Sequence, residues 1–247
     1  MKKSLKKILF TVLTVFAVFF VVACGNKEDT KINKEEVIKK ATEALNNVKS
    51  GNNLLKVKAK VKGGATIEYI IIDISLIKEP LTMKVILETK DTKVTIFQKD
   101  SMEYINNSKN NNWKKQNITK EHTEQYKNAL DDSIKIYKVL KDNLDKVSIK
   151  EDGGNYIISV DKNSAFLNEY IKNKMTDMIG QSIDFKANNA ILECIISKET
   201  YLQKSLVLSL DTEIQGQEMK VSLESILSNI NNVEEITVPE EALNSSN

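Results

Sequence analysis

The chain has 247 residues, with 36 basic and 34 acidic side chains and a net charge of +2. Every basic residue is lysine, so the planar guanidinium that grips phosphates and carboxylates with two parallel donors is missing. One histidine and two cysteines are too few for a zinc cluster of the usual His/Cys kind.

The N-terminus is built in three parts. Lys2, Lys3, Lys6 and Lys7 form a positive block, and Ile8 to Ala23 is uncharged and apolar. The run ends in Val21-Val22-Ala23-Cys24-Gly25, and polar chain follows at Asn26, Lys27, Glu28 and Asp29. As a helix the run would span roughly 24 Å, short of the ~30 Å hydrocarbon core, and it closes on a cysteine rather than on an aromatic or basic belt. A charged block, an apolar run and small Ala23 before Cys24 resemble the bacterial lipobox. That resemblance implies a lipoprotein signal peptide over residues 1–23, cut so that the Cys24 thiol carries the lipid. The implied partner is the cell membrane, held at its extracytoplasmic face. Removal of the signal takes four lysines and no acid, so the net +2 becomes −2 and no nucleic-acid partner is expected. With Cys24 consumed, Cys194 stands alone, so no intrachain disulfide forms. Richness in Lys, Asn and Ile points to a low-GC Gram-positive source.

Residues 24–32 read as a short polar tether. Asn33 caps a first helix with Glu36 three residues on, and Val37, Ile38, Ala41, Leu45 and Val48 recur at helical spacing up to Ser50-Gly51. The period then becomes two. Leu55, Val57, Ala59 and Val61 alternate with Lys56, Lys58, Lys60 and Lys62, which predicts a strand with one wet face. Gly63-Gly64 is a turn, and Thr66 to Ile77 reads as a more central strand ending before Pro80. Short strands follow near Leu81–Leu87, Val94–Phe97 and Met102–Ile105, the last two joined at Lys99-Asp100. A polar turn from Asn106 to Asn112 then leads to Trp113.

Thr119 to Leu144 predicts a second helix with Tyr126, Ala129, Leu130, Ser133, Tyr137 and Leu140 on one stripe. A hairpin follows around Asp152-Gly153-Gly154. Asn163 or Ser164 caps a third helix with Phe166, Tyr170, Ile171, Met175, Met178 and Ile179 facing inward. Three strands close the chain, near Ala190–Ser197, Leu202–Thr212 and Met219–Leu227, before a loose tail over 242–247. The order predicts an α+β fold with a large antiparallel sheet, one domain over residues 33–241, and a monomer.

With its lipobox, first helix, hairpin strands, inward helices and return to strands, the chain resembles the half-barrel lipoprotein carriers of the LolA, LolB, LppX and LprG type. It is similar in particular to an uncharacterised Gram-positive lipoprotein family of that fold. The matching pieces are Met102-Glu103-Tyr104-Ile105, Trp113-Lys114-Lys115 and Ile236-Thr237-Val238-Pro239-Glu240-Glu241. The resemblance implies a curved sheet with about three helices in its concavity, and an apolar groove for a lipid-like ligand.

Catalytic patterns are scarce. His122 sits among charges, which suits a solvated helix position. Cys194 shares a strand face with Leu192 and Ile196, which suits a core residue. Trp113 reads as a sheet-packing residue. Neighbouring acids such as Asp131-Asp132 and Glu240-Glu241 diverge on any regular element and read as surface. Neither an enzyme nor a cofactor is expected. Two readings stay open for the third helix. Phe166, Tyr170, Met175 and Met178 pack a dry core, or they line a cavity, since Met adapts to irregular ligands and Tyr offers a polar tip. The first leaves an accessory interaction protein of the cell envelope, and the second a ligand-holding lipoprotein.

Overall fold

In the computed structural model the described residues are 32–64, 67–109, 112–119, 134–162, 164–179, 185–214 and 216–245. Cys24, the leader, most of the tether, and the start of the expected second helix with His122, Tyr126, Ala129, Leu130 and Ser133 lie outside them.

Helix α1 (Lys34–Asn46) leads into a run of six strands: β1 (Ser50–Val61), β2 (Ile67–Ile77), β3 (Thr82–Thr89), β4 (Lys93–Lys99), β5 (Met102–Asn107) and β6 (Asn112–Asn117). Helix α2 (134–141) precedes β7 (Val147–Asp152), β8 (Asn155–Val160) and α3 (Ala165–Ile179). The chain ends with β9 (Phe185–Ser197), β10 (Gln203–Ile214), β11 (Gln217–Ser228) and the short α4 (Glu240–Leu243).

The strands form one antiparallel sheet in the order β6-β5-β4-β3-β2-β1-β11-β10-β9-β8-β7. Two meanders, β1–β6 and β7–β11, are thus joined along a single seam where β1 pairs β11. Strands β6 and β7 are its free margins among the described residues, so the sheet stays open. This is the α+β half-barrel expected from the sequence.

Alternation decides which face is dry. On β1, Leu55, Val57 and Ala59 are buried while Lys58 and Lys60 are exposed. Pairing continues that face across seven strands: Ile70, Val57, Leu223, Leu208, Leu192, Val160 and Val147 lie opposite one another in turn. All seven are buried, each contributing about 1.5–3 kcal/mol for a side chain of this size removed from water. Residues of α1, α2 and α3 join the same core: Ile38 and Ala41, Ile136 and Leu140, Leu167 and Ile171. The helices therefore cover the inner face. Helix α1 starts as its sequence predicts, with the Asn33 side chain accepting from the Glu36 N–H at 3.1 Å. Glu36 does not reach back to Asn33; its carboxylate pairs with Lys40 at 2.7 Å.

Two β-bulges change the register of the C-terminal meander. Asn189, at φ +53°, lies at the shift between Ser209 and Asp211 in the β9–β10 pairing. The Ala190 N–H there donates to the Asn168 side chain of α3 at 3.1 Å, which ties the helix to the sheet. Strand β9 starts at Phe185, five residues before the predicted Ala190, because the bulge interrupts the alternation that marks a strand in sequence.

A second cluster sits on the opposite face, behind β4–β6. Phe97 and Tyr104 pack against Ile236, Val238 and Ala242, with Met102, Trp113 and Val233 at its edge. The Phe97 and Trp113 rings are 5.9 Å apart. The short motifs that carried the family resemblance converge here, although they are far apart in sequence. The tail expected to be loose from 242 needs correction: Glu240–Leu243 is a helical turn and Ala242 is fully buried. The Ala242 methyl enters an apolar contact that polar neighbours hide from a sequence reading.

Candidate ligand-binding site

Helix α3 places the predicted candidates. Leu167, Ile171 and Met175 recur every four residues, and each is almost fully buried. Helix α3 packs on β9. Phe166 and Tyr170 are half-buried and lie against the same core. Phe166 and Tyr170 share one side of α3 and Met175 lies on another with Leu167 and Ile171; the side chain of Met178 lies outside the described residues. Sequence reading missed Leu167, which heads the stripe four residues before Ile171.

Below the helices lies a polar node in apolar surroundings. The Tyr137 hydroxyl of α2 donates to Gln203 Oε1 at 2.8 Å and lies 3.2 Å from Cys194 Sγ. Tyr137 and Cys194 are fully enclosed, and Gln203 is 2% exposed. Burial pushes the Cys194 thiol up to about 12 and Tyr137 well above its ordinary range. Both are neutral near pH 7, so Cys194 is a packed thiol and not a nucleophile. Gln203 Nε2 is buried with no acceptor among the described residues, an open hydrogen-bonding valence of a kind proteins seldom leave unfilled.

Parity alone would send Gln203 outward with Ser205, Val207 and Ser209. The register shift between Gln203 and Ser205 sets Gln203 opposite inward-facing Ile196, and nothing in the sequence signals it. Among the described residues no group of three His, Cys, Asp or Glu side chains could hold a metal ion, and no helix is long and apolar enough to cross a membrane.

The family model for DUF6612, a family of unknown function, matches residues 33–247. The chain belongs to this family. The match begins at Asn33, the cap of α1, and runs through the segment that packs behind β4–β6. No curated protein matches the chain. Among solved structures it is similar to the lipoprotein LppX of Mycobacterium tuberculosis, with 12% identity and a TM-score of 0.44 over 82% of this chain and 97% of that one. It is also similar to LprF from Mycobacterium bovis, with 10% identity and a TM-score of 0.46 over 84% and 96% of the two chains. A DUF1329 family protein from Desulfovibrio piger follows at 8% identity and 0.25 over 79% and 91%.

Proposed function

We propose that this DUF6612 protein is a non-enzymatic lipoprotein, tethered through a lipid on Cys24, that holds an apolar or amphiphilic molecule on its inner face beside α3. The observation that carries the ligand part is the open Nε2 valence of Gln203, buried beside Tyr137 and Cys194 on the inner face. Tyr137 and Cys194 beside this anchor belong to the same core as Leu167, Ile171 and Met175 of α3, and a polar anchor on an apolar inner face is the composition of a site for an amphiphile. The tether part is supported by the leader sequence, which ends at Ala23-Cys24, and by the burial of Cys194, which withholds that thiol from modification.

Native mass spectrometry of gently extracted protein tests the ligand. The expected result is a lipid-sized adduct, together with binding of a fluorescent fatty-acid probe that Met175→Trp and Gln203→Leu both weaken. A clean apo mass, no probe binding, and a Met175→Trp stability loss of about 1–3 kcal/mol from overpacking would retire the cavity. That outcome supports the second reading, an accessory interaction protein with a filled interior, which the near-complete burial of Ile171 and Met175 favours. The tether is tested separately by Cys24→Ala, which should release the protein from the membrane fraction or leave it uncut. One diacylglyceryl group brings two chains at ~0.8 kcal/mol per buried CH₂, enough for stable anchoring.

A further inference from the structure

The outer face of the central strands is neither covered nor neutral. Tyr69, Lys58, Ser222, Ser209 and Ile191 lie opposite one another in turn across β2, β1, β11, β10 and β9. Tyr69 is 54% exposed and Ile191 45%, and Ile71, two residues along the same face from Tyr69, is 43% exposed. Three of the four large apolar side chains that are exposed among the described residues therefore share one face. Tyr69 and Ile71 flank one side of the Lys58–Ser222–Ser209 row and Ile191 the other.

The same face carries a depression of about 540 Å³ with Lys58, Lys60, Lys162 and Lys220 in its lining. Its floor includes Ser209 and Ser222, whose hydroxyls lie 3.2 Å apart. Asp211 is already engaged by Lys220 at 3.5 Å and by the Asn189 amide at 2.8 Å. No carboxylate among the described residues pairs with Lys58, Lys60 or Lys162. In the next row Glu224 pairs with Lys56 and Glu88 with Lys93, and Glu193 lies in the same row. Lys60 and Lys220 stand directly opposite each other across the seam. Like charges in that position destabilise a sheet, and an anion placed between them would relieve it.

From these observations we infer that the outer face of β1, β2 and β9–β11 docks on an anionic phospholipid surface. The lysines take up headgroup phosphates in the depression, and Tyr69, Ile71 and Ile191 enter the interfacial layer. A soluble polyanion would account for the lysines but not for the exposed apolar side chains, which is why a lipid surface is chosen. The inference is independent of the inner-face ligand.

The test uses the mature lipidated protein carrying Ile191→Cys labelled with acrylodan, since Cys194 is enclosed. Flotation with neutral phosphatidylcholine vesicles reports the tether alone. Addition of phosphatidylglycerol to the vesicles should shift the label emission to the blue, and salt should reverse the shift. Lys58→Gln, Lys60→Gln and Lys162→Gln should each weaken docking roughly fivefold at low salt. Tyr69→Ser with Ile71→Ser should abolish the shift while circular dichroism stays unchanged. An equal shift on neutral vesicles, or none on anionic ones, overturns the inference. So does soluble polyphosphate binding that depends on the lysines but not on Tyr69 or Ile71. Failure to float with neutral vesicles would instead count against the tether.

Discussion

The inner face beneath the helices and the outer face behind β4–β6 are both dry, but they are closed in different ways. The inner face is aliphatic and spans seven strands, with Leu192, Leu206 and Leu208 almost fully buried under residues of three helices. The outer cluster is largely aromatic on its sheet side, and one strap of chain from Val233 to Ala242 covers it. One region is held by many mutually supporting elements, the other by a single segment. Their stabilities should differ accordingly.

Leu208→Ala, in the middle of the inner row, should cost about 2–5 kcal/mol in urea unfolding, since surrounding strands and helices cannot collapse into the space. Val238→Ala should cost only about 1–2 kcal/mol, mostly lost transfer energy. Its more telling effect is on cooperativity. Trp113 is the only tryptophan in the sequence and reports on the outer cluster. In Val238→Ala its fluorescence transition should therefore come at lower urea than the loss of far-UV circular dichroism. Coincident transitions would mean that the two regions form one unit.

The inner node sharpens the comparison through pH. An unfolded chain releases the Cys194 proton near ~8.5, whereas the folded one keeps it until about 12. Between those values the native state binds more protons, so stability falls as pH rises, by up to ~1.4 kcal/mol per unit. Tyr137 acts in the same direction at higher pH. Cys194→Ala should flatten the slope above pH ~8.5 and leave the pH dependence below it unchanged; a slope equal to that of the wild type would mean that the thiol is not sequestered. At the other extreme, Lys60→Gln on the bare outer face should shift stability by less than about 0.5 kcal/mol. The expected sign is stabilising, because it removes the opposition to Lys220.

Regular patterns made much of this legible from residues alone. The Leu/Lys alternation of β1 and the Asn33 cap each announce an element because one physical rule dominates locally. The Asp100-Ser101 turn, with both residues at positive φ, is displaced by one position from the prediction, a normal error where several polar residues suit a two-residue hairpin. What stayed hidden depends on distant pairing. The bulges at Asn189 and between Gln203 and Ser205 reverse which side chains face inward, so Phe185 and Gln203 are invisible to a period-two reading. The burial of Ala242 needs Tyr104 and Phe97, which no local window contains.

The seam between β1 and β11 has a consequence for how the molecule comes into being. The pairing of Lys56 with Glu224 spans 168 positions, and synthesis delivers β1 long before its partner. Until β11 arrives, β1 is the raw edge of an unfinished sheet, with a row of unmatched amides beside an apolar face. Such edges recruit the wrong chain. Lys56, Lys58 and Lys60 would have to be desolvated by any intruding strand, so β1 carries its own guard through that interval. When β11 docks, the buried Ser225 hydroxyl finds Asn53 Oδ1 at 2.6 Å. A one-residue slip would turn Ser225 away from Asn53 and send Val57 to the wrong face, so the same strand that repels strangers also checks the alignment of its late partner.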